Sequence, residues 1–182
     1  MKDELIRVFV AFPVPENFLI AFREYSQNTT EIPGLRWTRE ANLHLTLFFI
    51  GEIGQEDLAQ VKGRLNSMLS SFIPFELEFD KISFRGKLNT PSMIWAQFKV
   101  SENFRKLFIR IHTSMENLMT IKVQHTDPIP HVTLARLKKG VDLYELKTRM
   151  SDFPLKIIVD RIELWKTVHS NDGVIYNKIF IE

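Results

Sequence analysis

Two short stretches of this chain hold side chains that can pass protons and grip an anion: His44-Leu45-Thr46-Leu47 and His131-Val132-Thr133-Leu134. Both read His-x-Thr-Leu. On a β-strand, residues two apart share a face. His44 therefore projects beside Thr46, and His131 beside Thr133, while Leu45, Leu47, Val132 and Leu134 point the other way to anchor a core. With five His, eleven Thr and nineteen Leu in 182 residues, shuffling yields this tetrad about 0.03 times per chain, and two copies in roughly one chain in two thousand. His112, His125 and His169 lack a threonine two places on and read as surface histidines.

An imidazole has an ordinary pKa near 6.5, so of two facing a cleft one can hold a proton while the other lacks it. Cleavage of a phosphodiester requires that pairing. One group takes a proton from the attacking oxygen and another gives one to the leaving oxygen across phosphorus. The adjacent threonine hydroxyls can donate to the non-bridging oxygens, where charge must be stabilised. A single His-x-Thr is more simply a core histidine resting on a threonine; its duplication argues against that here. The chain has no Cys, no His-x-His and no Asp/Glu cluster near the motifs, so neither a metal nor a cofactor is expected.

Composition sets the frame. Apolar residues at 45% and charged ones at 25% are those of an ordinary globular protein, and 182 residues suit one domain or two intimate lobes. A net charge of +2 permits an anionic substrate without the strong basic stripe of a nucleic-acid-coating protein. The absence of Cys excludes disulfides and thiol nucleophiles. With no membrane-length apolar run and no signal peptide, the expectation is a cytoplasmic protein without membrane association.

The elements that must position the motifs can be read in order. Leu5 to Phe12 is a buried strand stopped by Pro13. A helix follows through Phe18, Leu19, Phe22 and Tyr25, with Pro15 in its first turn. Leu35-Arg36-Trp37 precedes the His44 strand, which Gly51 closes. Leu58, Val61, Leu65, Met68 and Leu69 mark a second helix, and Phe75 to Phe79 alternates as a half-buried strand. After a turn-rich connector from Gly86 to Pro91 come a strand from Ser92 to Val100, a helix capped by Ser101 with Phe104, Leu107, Phe108, Ile111, Met115 and Leu118 on one face, and the His131 strand. Asp142 caps a short helix to about Met150. Leu155 to Val168 reads as one long strand, which Asn171-Asp172-Gly173 turns back into Val174 to Ile181.

His131 lies 87 positions after His44, and the same shift carries strand onto strand elsewhere, Val8 onto Trp95 and Phe75-Glu76-Leu77 onto Ile162-Glu163-Leu164. The expectation is an α+β domain spanning 1–182, made of two pseudo-symmetric β-α-β-α-β lobes, about 1–86 and 92–182. Their antiparallel sheets would face a central cleft, with helices outside and His-x-Thr on the middle strand of each. Because one chain supplies both motifs, a monomer suffices and no obligate protein partner is expected.

The two tetrads, with Pro130 before the second and Ala135-Arg136 after it, resemble the paired signatures of the two-histidine (2H) phosphoesterases. Arg7 to Phe12, Leu35-Arg36-Trp37-Thr38 and Gly173-Val174-Ile175-Tyr176 are similar to the RNA 2′,3′-cyclic phosphodiesterase, or 2′-5′ RNA ligase, branch. The likeness covers essentially the whole chain and departs at Ile129, where the family usually has an aromatic. It implies RNA or nucleoside 2′,3′-cyclic phosphate ends as substrate. His131 would activate water as base, His44 would protonate the departing ribose oxygen as acid, Thr46 and Thr133 would bind the phosphate, and a 2′-phosphomonoester would remain; the residues alone give the pair but not the roles. In reverse, the roles exchange and RNA ends are joined. Phe49 and Arg136, each five residues past its histidine, would sandwich a nucleobase, provided that the strand twists or bulges to bring them to the histidine face. A small cyclic substrate such as ADP-ribose 1″,2″-cyclic phosphate, and a non-catalytic nucleotide-binding module on the same scaffold, stay open as alternatives.

Overall fold

The structure is a computed structural model, and it describes residues 5–27, 31–87, 89–116, 128–149, 155–171 and 173–181. His125, Leu118, Met150 and Asp172, invoked above, lie outside them.

β-Branched and aromatic stretches form strands, and every pairing between them is antiparallel. In chain order these are β1 (Ile6–Pro13), β2 (Leu35–Trp37), β3 (His44–Ile53), β4 (Phe75–Lys87), β5 (Thr90–Phe98), β6 (His131–Leu137), β7 (Lys156–Val159), β8 (Glu163–Ser170) and β9 (Gly173–Ile179). They connect in the order β7-β4-β5-β6-β3-β1-β8-β9, with β2 on β6. The α+β architecture with an antiparallel sheet is as expected.

The helices α1 (Glu16–Gln27), α2 (Gln55–Leu69), α3 (Glu102–Glu116) and α4 (Leu143–Arg149) lay one apolar stripe each on this sheet. Phe18, Phe22 and Tyr25 of α1, Val61, Leu65 and Met68 of α2, and Phe104, Leu107, Ile111 and Met115 of α3 are buried. They share one core with Leu45, Leu47, Val132 and Leu134, each such side chain contributing about 1.5–3 kcal/mol. Both foreseen caps form: Phe104 N donates to Ser101 Oγ at 3.1 Å, and Tyr144 N and Glu145 N donate to Asp142 Oδ1 at 2.9 Å.

Three local readings are corrected. Gly51 does not close its strand; it sits at φ +101° where β3 bulges against β1 and the strand continues to Ile53. The turn-rich connector expected from Gly86 to Pro91 is shorter, since β4 runs to Lys87 and β5 starts at Thr90, and the two form a hairpin paired out to Lys87↔Thr90. The long strand from Leu155 is two, broken at 160–162, because β7 pairs with β4 and β8 with β1 on opposite sides of the sheet.

Strand pairing also cuts across the sequence repeat. β4, from the first repeat, pairs with β5, the first strand of the second, and β8 pairs reciprocally with β1. The two halves of the sequence repeat thus each lend one strand to the other. They are joined at β3 and β6 through a single registered pair, Leu45↔Val132.

Candidate active site

Antiparallel register about Leu45↔Val132 puts His44 across from Thr133 and Thr46 across from His131, all on the face opposite the core. Because the ladder registers only that central pair, the strands splay on either side and open a cleft. Diagonal neighbours in a regular ladder are roughly 7–8 Å apart, so the two imidazoles have room for a phosphoryl group between them. The cleft encloses about 690 Å³ and is lined by His44, Thr46, His131, Thr133, Phe49 and Arg136 among others. All six predicted site residues converge there.

The bulge required of Phe49 and Arg136 is present in both strands. Val10 pairs with Phe48 and Ala11 with Thr46, leaving Leu47 as an extra residue; Ile94 pairs with Ala135 and Trp95 with Thr133, leaving Leu134 extra. An inserted residue flips the alternation beyond it. Burial then runs identically from His44 to Ile50 and from His131 to Leu137, with Phe49 and Arg136 exposed between buried neighbours.

Each histidine is held in the same way. His44 Nδ1 bonds the carbonyl of Asn42 at 2.7 Å, and His131 Nδ1 that of Ile129 at 2.8 Å. A carbonyl only accepts, so Nδ1 carries the proton and each neutral ring keeps its Nε2 lone pair. Asn42 is itself fixed, its Nδ2 donating to Val174 O at 2.9 Å and its Oδ1 accepting from Tyr176 N at 3.2 Å. Thr38 Oγ1 donates to Thr133 O at 2.8 Å. Burial is the largest influence on both histidines and disfavours the cation: it drives His44 down to about 4, against the bond to Asn42, and lowers His131 as well. Both imidazoles are thus neutral at neutral pH.

Their surroundings differ, and sequence reasoning did not reach them. His44 lies among Phe9, Trp165 and Tyr176, with ring centroids 5.0, 5.2 and 4.9 Å away. Trp165 Nε1 donates to the buried carboxylate of Glu163 at 2.8 Å, and Lys178 Nζ bonds that carboxylate at 2.7 Å. His131 instead stacks on Trp95, 3.5 Å between centroids and 14° from parallel. Trp95 and Trp165 had strand parity as a signal but no motif of their own. Arg36 and Trp37 line the cleft from β2, where Arg36 is registered opposite Arg136.

The sequence model of the 2′-5′ RNA ligase superfamily matches residues 20–171. The chain belongs to that family. A Bacillus subtilis RNA 2′,3′-cyclic phosphodiesterase is 25% identical over 99% of this chain and 97% of its own length. A Methanocaldococcus jannaschii protein of the same name is 27% identical over 96% and 98%. A crystal structure from Thermus thermophilus superposes with a TM-score of 0.84 at 24% identity, covering 96% of this chain and 95% of that one. Escherichia coli LigT complexed with 3′-AMP superposes at 0.71 with 20% identity, covering 97% of both chains. These two likenesses concern the fold.

Proposed function

We propose that the protein hydrolyses 2′,3′-cyclic phosphate ends of RNA or nucleotides to 2′-phosphomonoesters, without a metal, by proton transfer between two histidines. The observation that carries this reading is the pair of Nδ1-protonated imidazoles, each beside a threonine, facing one cleft where β3 and β6 splay. His131 Nε2 takes a proton from water as its oxygen attacks phosphorus. The P–O3′ bond breaks, and O3′ receives a proton from His44 Nε2. Thr46 and Thr133 hydroxyls donate to the non-bridging oxygens as charge builds on them. The bound phosphodiester anion offsets the burial that disfavours the His44 cation, so the acid acquires its proton as substrate arrives. A ribose 5′-hydroxyl in place of water forms a 2′-5′ linkage with His131 still the base and His44 still the acid, so the exchange of roles expected from the sequence applies to cleavage of that linkage back to the cyclic phosphate and not to joining. Phe49 and Arg136 hold the nucleobase between ring and guanidinium. The names of the curated relatives support the substrate class.

The test is hydrolysis of a nucleoside 2′,3′-cyclic phosphate in EDTA, with identification of the phosphomonoester formed. EDTA-resistant release of the 2′-phosphate is expected, with His44→Ala and His131→Ala each lowering kcat/KM by about 10²–10⁴. Turnover indifferent to either histidine overturns the mechanism. No turnover by folded wild type moves the protein to the nucleotide-binding class.

A further inference from the structure

Nothing in the duplicated motif distinguishes its two histidines, yet the reaction needs one to give a proton and the other to take it. Their neighbours differ: rings from β1, β8 and β9 surround His44, while β4 and β5 supply those of His131. Arg85 Cζ lies over the Trp95 ring, 4.8 Å from its centroid. A ring parallel to His131 at 3.5 Å leaves no room for a guanidinium on that face, so Arg85 takes the other. Arg85, Trp95 and His131 form a three-layer stack with a permanent cation at its far end.

The cation is held there. Arg85 Nη2 donates to Gln97 Oε1 at 2.7 Å, Ser83 Oγ donates to the same oxygen at 3.2 Å, and Gln97 Nε2 donates to Asp80 Oδ2 at 3.0 Å. Gln97 is also the residue registered opposite His131, so one side chain ties guanidinium and imidazole to a common frame.

We propose that Arg85 and Trp95 are positioning residues that make His131, and not His44, the proton acceptor, an inference that rests on the function given above. Two effects act together. The guanidinium opposes a second positive charge on His131, in line with the direction in which Arg85 moves that ring's proton affinity. It also occupies one face of the indole, so Trp95 has less cation–π attraction to offer a protonated His131. His44 has Phe9, Trp165 and Tyr176 around it, and their ring electrons favour an imidazolium there once an anion relieves its burial. His131 opposes a positive charge on His44, and that opposition vanishes while His131 stays neutral. Among the described residues, the other charged groups on the elements packed about His131 are Asp80 and Lys81 on β4, Arg136 on β6, Arg36 on β2, and Arg39. Asp80 is engaged by Gln97 and lies 3.8 Å from Lys81. Arg36, Arg39 and Arg136 line the cleft that also contains His44, so Arg85, placed behind Trp95, is the cation that singles out His131.

Two measurements test this. The first is titration of the imidazole Cε1–H resonances of His44 and His131 by NMR in the folded, substrate-free protein. Arg85→Met should raise the His131 midpoint by about one unit, give His44 no such rise, and be reversed in Arg85→Lys, which restores the charge. An unmoved His131, or equal movement of both rings, overturns the proposal. The second is the pH profile of kcat/KM with a nucleoside 2′,3′-cyclic phosphate. The acidic limb should move up in Arg85→Met by the same interval. Trp95→Leu should lower kcat about tenfold with KM within twofold, and Trp95→Phe should restore it. An acidic limb indifferent to Arg85 while wild type turns over assigns the acceptor role elsewhere. Absence of turnover in wild type overturns the proposed function instead, and the NMR titration still decides whether Arg85 sets the state of His131.

Discussion

His44 and His131 are neutral because the fold buries them, and that has a cost in acid. The unfolded imidazole titrates near 6.5 while folded His44 titrates at about 4, so between those values the unfolded chain binds more protons and stability falls as pH falls. His44 alone should cost up to about 3 kcal/mol by pH 4. The Tm of wild type should therefore drop between pH 7 and pH 4.5 by more than that of His44→Gln; equal drops would show that the burial of this ring is not felt as a proton affinity. At the same scale, Phe49→Ala and Arg136→Ala should each raise KM for a nucleoside cyclic phosphate about five- to hundredfold, the loss of one stacking partner, with kcat within a few fold. An unchanged KM would remove the base sandwich. The four residues of the duplicated motif were legible because period-two alternation and chemistry coincide in them. Trp95, Trp165 and Arg85 were not, because a strand tryptophan or a hairpin arginine has many uses and only the three-dimensional register brings these beside a histidine.

Among the elements, helices were read best. Ser101 and Asp142 announced their caps, and Ser101→Ala should cost about 1 kcal/mol, measured by urea denaturation. A loss near zero would mean that Phe104 N finds another acceptor. The apolar stripe of α3 was equally plain, since four of its residues at helical spacing are buried. Strand limits were harder. Leu155 to Val168 contains no residue that forbids continuous extension, and it breaks at 160–162 because its two parts have partners on opposite sides of the sheet. The bulges at Leu47 and Leu134 were required by the site hypothesis before any local sign of them existed. No glycine marks either one, so packing of the following residues onto the core has to impose them.

For the whole molecule, the exchange of β4 and β8 decides how it unfolds. β5 pairs with β4 along eight registered residues, and β8 returns to β1, so neither half of the sequence repeat contains a complete sheet. Thermal unfolding should be one cooperative transition by both far-ultraviolet dichroism and tryptophan fluorescence. Separately produced fragments 1–88 and 89–182 should be unstructured alone and regain dichroism on mixing. A fragment that folds by itself would show that the exchanged strand is dispensable. The repeat was visible in the sequence as a spacing, but spacing is blind to partner choice. A strand that leaves its own repeat for the neighbouring one keeps its place in the count of residues.

The reciprocal strand exchange also speaks to ancestry. A half-length chain that lends its fourth strand to a copy of itself and receives the copy's in return would close such a sheet around a true two-fold axis, with two identical His-x-Thr strands meeting on it. Such a pair would have the right groups and no fixed choice between them, since either histidine would serve as acid or as base according to which way round the substrate bound. Fusion of the two halves into one reading frame lets the choice become fixed. Each histidine can then acquire its own neighbours by independent mutation, an arginine behind a tryptophan for one and a ring of aromatic side chains for the other, so that division of labour becomes heritable only after duplication.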